Sequence, residues 1–474
     1  MKLTLINKGA GTSRLILIAA GWSTTAEFYE GIGMPGWDTA VVTLDGTDDN
    51  ASDIVAEIKD RYKTVYLYAW SLGVAMSETL CNAGLRTTAA FAISGTPMPC
   101  SDSDGIPTAV FRATRDTLDA RNLFKFRCRI CGGASAYRRV AEKFERGGNC
   151  EITLLRKELE IAEHRTYFSL VNWTKAFVST EDAIFPPTSQ NAYWRSSGVP
   201  VKELKSPHYI DIQEIVDSTI VNLPRAGRRF ARSSSSYNDH AVAQREIARR
   251  LAELTSEKFC CDPIENMLEL GCGSGELSRA LSDLVHIVSA TFVDLYSCGR
   301  FGVADSENYL TGDAELLVEE MQSGSFDLIC SSSAIQWFSD TARFLRNCQR
   351  LISKDGLVAL STFAEGNLSE LDSLRDSSIG YLSEDKLKDI VESLFEEVEI
   401  ETDEIKLAFV SPSELMRHLR LTGVTASATK SMSPAELRDF MRHLPADDSG
   451  HYTLTFRPVY ILARHPRASL RNFY

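Results

Sequence analysis

The chain has 474 residues, 44% hydrophobic and 24% charged, with a formal net charge of −13. That is apolar material for about two to four compact domains, the acidic balance argues against a nucleic-acid binder, and no apolar run reaches the ~20 residues of a membrane span. The N-terminus lacks a signal peptide's apolar core and cleavage site, and the eleven cysteines are scattered without a framework spacing, so a cytoplasmic protein with reduced thiols is expected.

In chain order, residues 3–6, 15–20, 40–44, 65–69 and 89–93 are short, nearly continuous apolar runs. Buried parallel strands read this way. Residues 53–61 and 72–82 read as helices between them, which gives a strand–helix alternation. The pattern breaks from Arg112 to Lys157. Twelve basic residues there face five acidic ones, a local charge of +7, and we expect a mostly helical cap over about 112–165. Strands at 172–180 and 200–204 complete the series. His164 lies in a polar helical stretch and is expected to be exposed. Cys128 and Cys131 form a single Cys-x-x-Cys pair without a second pair or a nearby His, so plain thiols are expected and no metal site is predicted.

The first half carries a nucleophile elbow, Ala69-Trp70-Ser71-Leu72-Gly73. A serine hydroxyl needs a base to become a nucleophile. A sharp strand-to-helix turn exposes it, with small neighbours relieving the strain. The usual first Gly is Ala69 here, still small. In this fold class the triad runs Ser, Asp, His along the chain. His208 follows the last predicted strand and Asp182 the one before it. Glu181 is the rival acid. Trp22, in the Gly21-Trp22 loop after an early strand, and Leu72 are the candidate backbone donors of an oxyanion hole.

Residues 223–236 contain Pro224, Gly227, four arginines and four consecutive serines. We read them as the join between a first domain, 1–222, and a second, 223–474. Helical periodicity resumes over 240–254. Strands are predicted at 267–270, 290–294, 327–331 and 357–362, and 452–463, with Pro458 inside, reads as edge strands.

The second half carries Glu269-Leu270-Gly271-Cys272-Gly273-Ser274-Gly275 between a strand and a helix. Glycines there let the backbone approach a ligand beside the positive helix N-terminus. The G-x-G-x-G spacing after Glu269 favours S-adenosylmethionine (SAM) over a dinucleotide. Asp294, ending the next strand, suits ribose hydroxyls, and Asp313 suits an adenine amine. Glu269, Gly271, Gly273, Asp294 and Asp313 are therefore the expected SAM-binding set. A nucleotide-free Rossmann-like domain is the alternative. A carboxylate acceptor is already ionised at neutral pH and needs no general base, only positioning and removal of water. Arg225, Arg228, Arg229, Arg232, Arg417 and Arg420 are the cations that could meet it. The expected fold class is α/β: an α/β-hydrolase domain followed by a class I SAM-dependent methyltransferase domain.

Residues 225–465 resemble the malonyl-acyl-carrier-protein O-methyltransferases of biotin synthesis, the BioC type. The carriers are Ser236-Tyr237-Asn238-Asp239-His240-Ala241 with Gln244-Arg245, the SAM loop, Ser333-Ala334-Ile335-Gln336-Trp337, and 415–423 with Thr422-Gly423-Val424. The chain departs from many relatives at Ser234, where they carry Ala. Residues 1–220 resemble the pimeloyl-acyl-carrier-protein methyl ester esterases of the BioG type, through Gly21-Trp22, residues 69–74 and the late His208.

These resemblances imply SAM-dependent methylation of the free carboxylate of malonyl-acyl-carrier protein, and hydrolysis of the pimeloyl methyl ester by Ser71, Asp182 and His208. They set Tyr237, Gln336, Trp337 and Arg420 on the acceptor side. They imply an acyl carrier protein as partner, with no nucleic acid and no membrane. Masking the charge lets an acid end enter an apolar elongation site that would otherwise exact a heavy desolvation cost. The basic cap then suits an acidic carrier, or is simply a solvated helical face. Two other readings stay open: a small-molecule esterase joined to a natural-product methyltransferase, and a silent hydrolase-like docking module on an active methyltransferase.

Overall fold

The computed structural model describes residues 1–9, 12–47, 50–146, 151–164, 170–223, 241–259, 262–371, 381–422 and 434–467. Residues 224–236 of the predicted join, with its four arginines, and Tyr237 lie outside the described residues. The chain divides into two compact units, Met1–Val216 and Asp217–Tyr474, each built on its own seven-stranded sheet.

The first sheet contains β1 Lys2–Asn7, β2 Arg14–Ala19, β3 Asp38–Thr43, β4 Thr64–Trp70, β5 Ala89–Ile93, β6 Lys175–Ser179 and β7 Val201–Leu204. The order is β1-β3-β2-β4-β5-β6-β7. β1 runs antiparallel to β3 and every other pair is parallel. Every residue of β2, β3 and β5 is buried, as their unbroken apolar runs require of strands covered on both faces. The covering helices are α1 Ala51–Arg61, α2 Leu72–Asn82, α7 Pro187–Ser196 and α8 Ile212–Thr219.

The basic run folds as four helices, α3 Thr108–Asp116, α4 Ala120–Ile130, α5 Ala134–Glu145 and α6 Ile152–His164. Each turns a narrow apolar stripe inward. α3 buries Phe111, α4 buries Leu123, Phe126 and Ile130, and α5 buries Tyr137 and Phe144. That spacing is helical and leaves most of the arginines at the surface. His164 is exposed, its ring nitrogen 2.9 Å from the Glu160 carbonyl. Burial pushes the Cys131 thiol up to about 11.

The second sheet contains β8 Ile264–Leu270, β9 Ile287–Asp294, β10 Ser306–Thr311, β11 Phe326–Ser332, β12 Ile352–Phe363, β13 Phe395–Thr402 and β16 Pro458–Pro466. The order is β10-β9-β8-β11-β12-β16-β13. β16 is antiparallel to both neighbours. A parallel run from β10 to β12, followed by one antiparallel strand, β16, between β12 and β13, is the Rossmann-like methyltransferase arrangement. Its helices are α9 Val242–Phe259, α10 Glu276–Ser282, α11 Ala314–Glu320, α12 Thr341–Leu351, α13 Glu384–Leu394, α14 Pro412–Thr422 and α15 Pro434–His443. Among the described residues no helix is long and apolar enough to cross a membrane.

The expectation of edge strands over 452–463 is corrected here. That stretch splits into β15 Tyr452–Phe456, which pairs with β14 Ile405–Phe409 in a two-stranded ribbon, and the interior strand β16. Pro458 is the first residue of β16, where a missing N–H costs the ladder little. Val459 and Ile461 are fully buried, as an interior position demands. The true edges are β10 and β13.

One buried carboxyl sets a pH dependence in the first unit. Glu158 on α6 is 5% exposed, and burial, aided by the nearby Asp45 charge, pushes its carboxyl up to about 8. The folded state thus keeps a proton that the unfolded chain releases near 4.5. Stability falls as pH rises through that window and levels off above it, by at most about 1.4 kcal/mol per pH unit. Glu158→Gln should remove this loss. Thermal melts of the full chain should show the variant's first-unit transition above wild type near pH 8–9 and coincident with it below about pH 4.5.

Candidate active sites

Ser71 joins β4 to α2 at φ 55°, ψ −121°. This backbone is strained for a residue with a side chain, and such strain concentrates at functional sites. The turn holds Ser71 Oγ 2.9 Å from His208 Nε2, and His208 Nδ1 2.7 Å from Asp182 Oδ2. His208 is 1% exposed and Asp182 8%. The opposite carboxylate oxygen of Asp182 accepts the N–H groups of Ile184 and Phe185, both at 2.8 Å. Asp182 therefore arrives oriented. The rival Glu181 is exposed. The elbow also depends on close backbone approach: a Cβ at Gly73 would lie 2.1 Å from the Ala19 carbonyl oxygen.

Sequence reasoning missed two supports. Gln190 Nε2 donates to Asp182 Oδ2 at 3.2 Å and to the Phe185 carbonyl at 2.7 Å. Trp70, beside the nucleophile, donates its indole N–H to the His208 carbonyl at 3.1 Å and is 1% exposed. Neither has a spacing signature, since each acts across the fold.

A crevice over Ser71 is walled by Trp22, Leu72, Phe111, Phe126, Leu159 and Ile184, with Arg129 its charged member. The cap helices supply Phe111, Phe126, Arg129 and Leu159. Trp22 donates its indole N–H to the Leu155 carbonyl on α6 at 3.0 Å, which ties the loop after β2 to the cap. The amide of Leu72, at the start of α2, has no acceptor within its own helix. The crevice is narrow, about 40 Å³, and mostly apolar around the Ser71 hydroxyl.

In the second unit, β8 ends in the glycine loop. Gly271, Gly273 and Gly275 all have positive φ. A Cβ at Gly271 would lie 2.4 Å from the Ala334 Cβ, whereas at Gly273 it would meet nothing within 4 Å. Gly273 thus turns bare backbone to a cavity of about 660 Å³, a size that suits a nucleotide-like ligand. Glu269, Gly271, Gly273, Asp294 and Asp313 all line it, as does Trp337. Asp294 Oδ2 accepts the Gly273 N–H at 2.8 Å, so the end of β9 fixes the loop after β8. Asp313 caps α11 by accepting the Glu315 N–H at 3.0 Å. Glu315 in turn accepts the Ser339 and Asp340 N–H groups, both at 2.9 Å, and steadies the turn after Trp337.

The cavity wall carries four carboxyls, Glu269, Glu276, Asp294 and Asp313, with Arg279 and Arg300. Glu269 is 2% exposed, and burial pushes its carboxyl up to about 8, with Asp294 adding to the rise and the Ser278 hydroxyl opposing it. Burial also raises Asp294, against backbone N–H bonds that lower it. A positive ligand would offset both costs. Ser333 lines the cavity, and its buried Oγ has no hydrogen-bond partner among the described residues. These features fit SAM, which would meet Asp294 with its ribose and the glycine loop with its methionine end.

Three acceptor-side expectations fare differently. Trp337 lines the cavity. Gln336 is off its wall, with Nε2 donating to the Ser333 carbonyl at 2.6 Å. Arg420 on α14 is exposed and off the wall, as is Arg417.

Comparison with known proteins agrees with both halves. Residues 1–216 match the family model "Pimeloyl-ACP methyl esterase BioG", and 268–360 match a methyltransferase domain. A malonyl-[acyl-carrier protein] O-methyltransferase of Bacteroides fragilis is 31% identical over 431 residues, covering 88% of this chain and 86% of that protein. An Acinetobacter baylyi enzyme of the same name is 32% identical over 52% of this chain and 98% of its own. The crystal structure of BioG from Haemophilus influenzae is 28% identical, covers 45% of this chain and 96% of its own, and superposes with a TM-score of 0.40. On the Bacteroides match, which runs through both units, the chain belongs to the malonyl-[acyl-carrier protein] O-methyltransferase family and carries a BioG-type esterase domain as its first half.

Proposed function

We propose that this polypeptide both caps and uncaps one acid group in biotin synthesis. The second unit methylates the free carboxylate of malonyl-acyl-carrier protein with SAM as donor, and the first hydrolyses the methyl ester of the finished pimeloyl chain. The observation that carries the reading is the joining, in one chain, of a serine–histidine–aspartate hydrogen-bond relay and a cation-favouring glycine-loop cavity.

In the esterase, Ser71 Oγ attacks the ester carbonyl while His208 Nε2 takes its proton. Asp182 holds the imidazole in the required tautomer and stabilises its charged form. The N–H groups of Trp22 and Leu72 meet the oxyanion. His208 then passes the proton to the departing methanol. A water, deprotonated by the same imidazole, releases the free carboxylate and restores Ser71.

In the methyltransferase, SAM supplies a methyl group on a sulfonium, open to in-line displacement by a carboxylate oxygen. Asp294 holds the ribose, Asp313 the adenine amine, and Gly271 and Gly273 admit the methionine end under Glu269. Trp337 walls the acceptor side, with Tyr237 and Gln336 as further candidates; Arg420, off the cavity wall, is left out. The basic cap on the esterase is the docking face for the acidic carrier, whose charge complements it. We place both reactions in the cytoplasm.

A fused esterase must not cleave the short ester at once. The apolar crevice supplies the selection: each added methylene is worth about 0.8 kcal/mol, so the four that separate a pimeloyl from a malonyl chain give roughly 3 kcal/mol, on the order of 10²-fold in kcat/KM. Equal kcat/KM for short and seven-carbon methyl esters on the carrier would contradict this selection. Ser71→Ala should abolish ester hydrolysis and spare methyl transfer, and Asp182→Asn should cut kcat by about 10³–10⁴-fold. Broad function is tested by complementation. One copy of the gene should rescue two biotin-requiring strains, one lacking each activity, and Ser71→Ala should rescue only the strain lacking the methyltransferase.

A further inference from the structure

The SAM cavity contains a feature that methyl transfer does not use. Cys272 Sγ, in the glycine loop, lies 3.5 Å from Cys298 Sγ, in the loop after β9. Both sulfurs and a carboxylate oxygen of Asp294 fall within 4.8 Å of one another. Cys272 is 5% exposed and Cys298 half-buried, and both line the cavity. The Cys298 thiol also makes a long contact, 3.4 Å, to the Tyr296 carbonyl.

We propose that Cys272, Cys298 and Asp294 form a binding site for a soft divalent cation of the zinc and cadmium class, and that its occupancy excludes the methyl donor. Two thiolates on a tetrahedral zinc, at about 2.3 Å each, sit about 3.8 Å apart. The observed sulfur separation is within a few tenths of an ångström of that edge. The donor set is two sulfurs and one oxygen, which selects a soft or borderline metal over magnesium or calcium. Binding releases two thiol protons to solvent, keeps the carboxylate ionised, and leaves a fourth position for water from the open cavity.

Exclusion follows from Asp294. Its Oδ2 already accepts the Gly273 N–H and its Oδ1 the Tyr296 N–H at 3.3 Å. A metal ion on the remaining lone pairs stands where the ribose hydroxyls must come. By linkage the two ligands then weaken each other equally. This part rests on the proposed donor site; the metal site itself does not.

The test uses full-length reduced protein, cobalt(II) and cadmium(II) as spectroscopic probes, and SAM titrated by calorimetry. Wild type should show a thiolate-to-metal charge-transfer band that is lost in Cys298→Ser and retained in the Cys128→Ser/Cys131→Ser double variant. Saturating cadmium should raise the apparent Kd of SAM by about tenfold or more, and SAM should suppress the band. Absence of the band, or its persistence in Cys298→Ser, overturns the site. So does loss of the two thiols to a disulfide in place of metal uptake. A normal band with unchanged SAM affinity overturns the exclusion, and faults the placement of the donor in this cavity while leaving the metal site intact.

Discussion

Both chemistries depend on one constraint: in a parallel sheet every strand ends at the same edge. Each connection returns behind the sheet before the next strand begins, so groups far apart in sequence finish side by side. Ser71 follows β4, Asp182 follows β6 and His208 follows β7, and 137 residues of separation close to 2.9 Å. The second unit repeats the device. The glycine loop follows β8, Asp294 ends β9, Asp313 follows β10 and Trp337 follows β11. No loop alone could hold these groups; the ladder hydrogen bonds of the strands fix them.

The two sites ask opposite things of their surroundings. Ester cleavage builds negative charge on an oxygen, and the first site keeps its carboxylate behind the imidazole. Methyl transfer begins with a positive sulfur, and its cavity is lined by the buried carboxyls of Glu269 and Asp294, both raised by burial. A single pocket would have to stabilise both signs at one place. Two compact units, each with its own seven-stranded sheet, let each field be set independently, and the local charge of +7 in the cap stands apart from the chain's net charge of −13.

Much of this was legible in the sequence because the informative positions are locally determined. The elbow and the glycine loop are sequences in which neighbours must be small for the turn to close, and this constraint survives in one dimension. The order of Ser71, Asp182 and His208 follows from the order of strands. Other parts were not legible, for physical reasons. β10 is largely polar and β13 reads Phe-Glu-Glu-Val-Glu-Ile-Glu-Thr; both are edges that bury little, so they carry no continuous apolar run. β16 looked like an edge because of Pro458, yet a proline at a strand's first residue removes a donor that the ladder hardly needs. The indole of Trp70 and the amide of Gln190 act over long sequence distances, and nothing in their neighbours announces it. Arg420, on α14, is exposed and off the cavity wall.

The left-handed backbone at Ser71 has a further meaning. Residues with a Cβ pay on the order of 1–3 kcal/mol to sit in such conformations, and glycine does not. The fold would therefore be firmer with its nucleophile deleted, and thermodynamics alone would let that position drift towards silence. A serine at that position is held at a cost in stability which only its chemistry offsets. Robustness and reactivity are set against each other at one peptide unit, and selection for the product holds the balance.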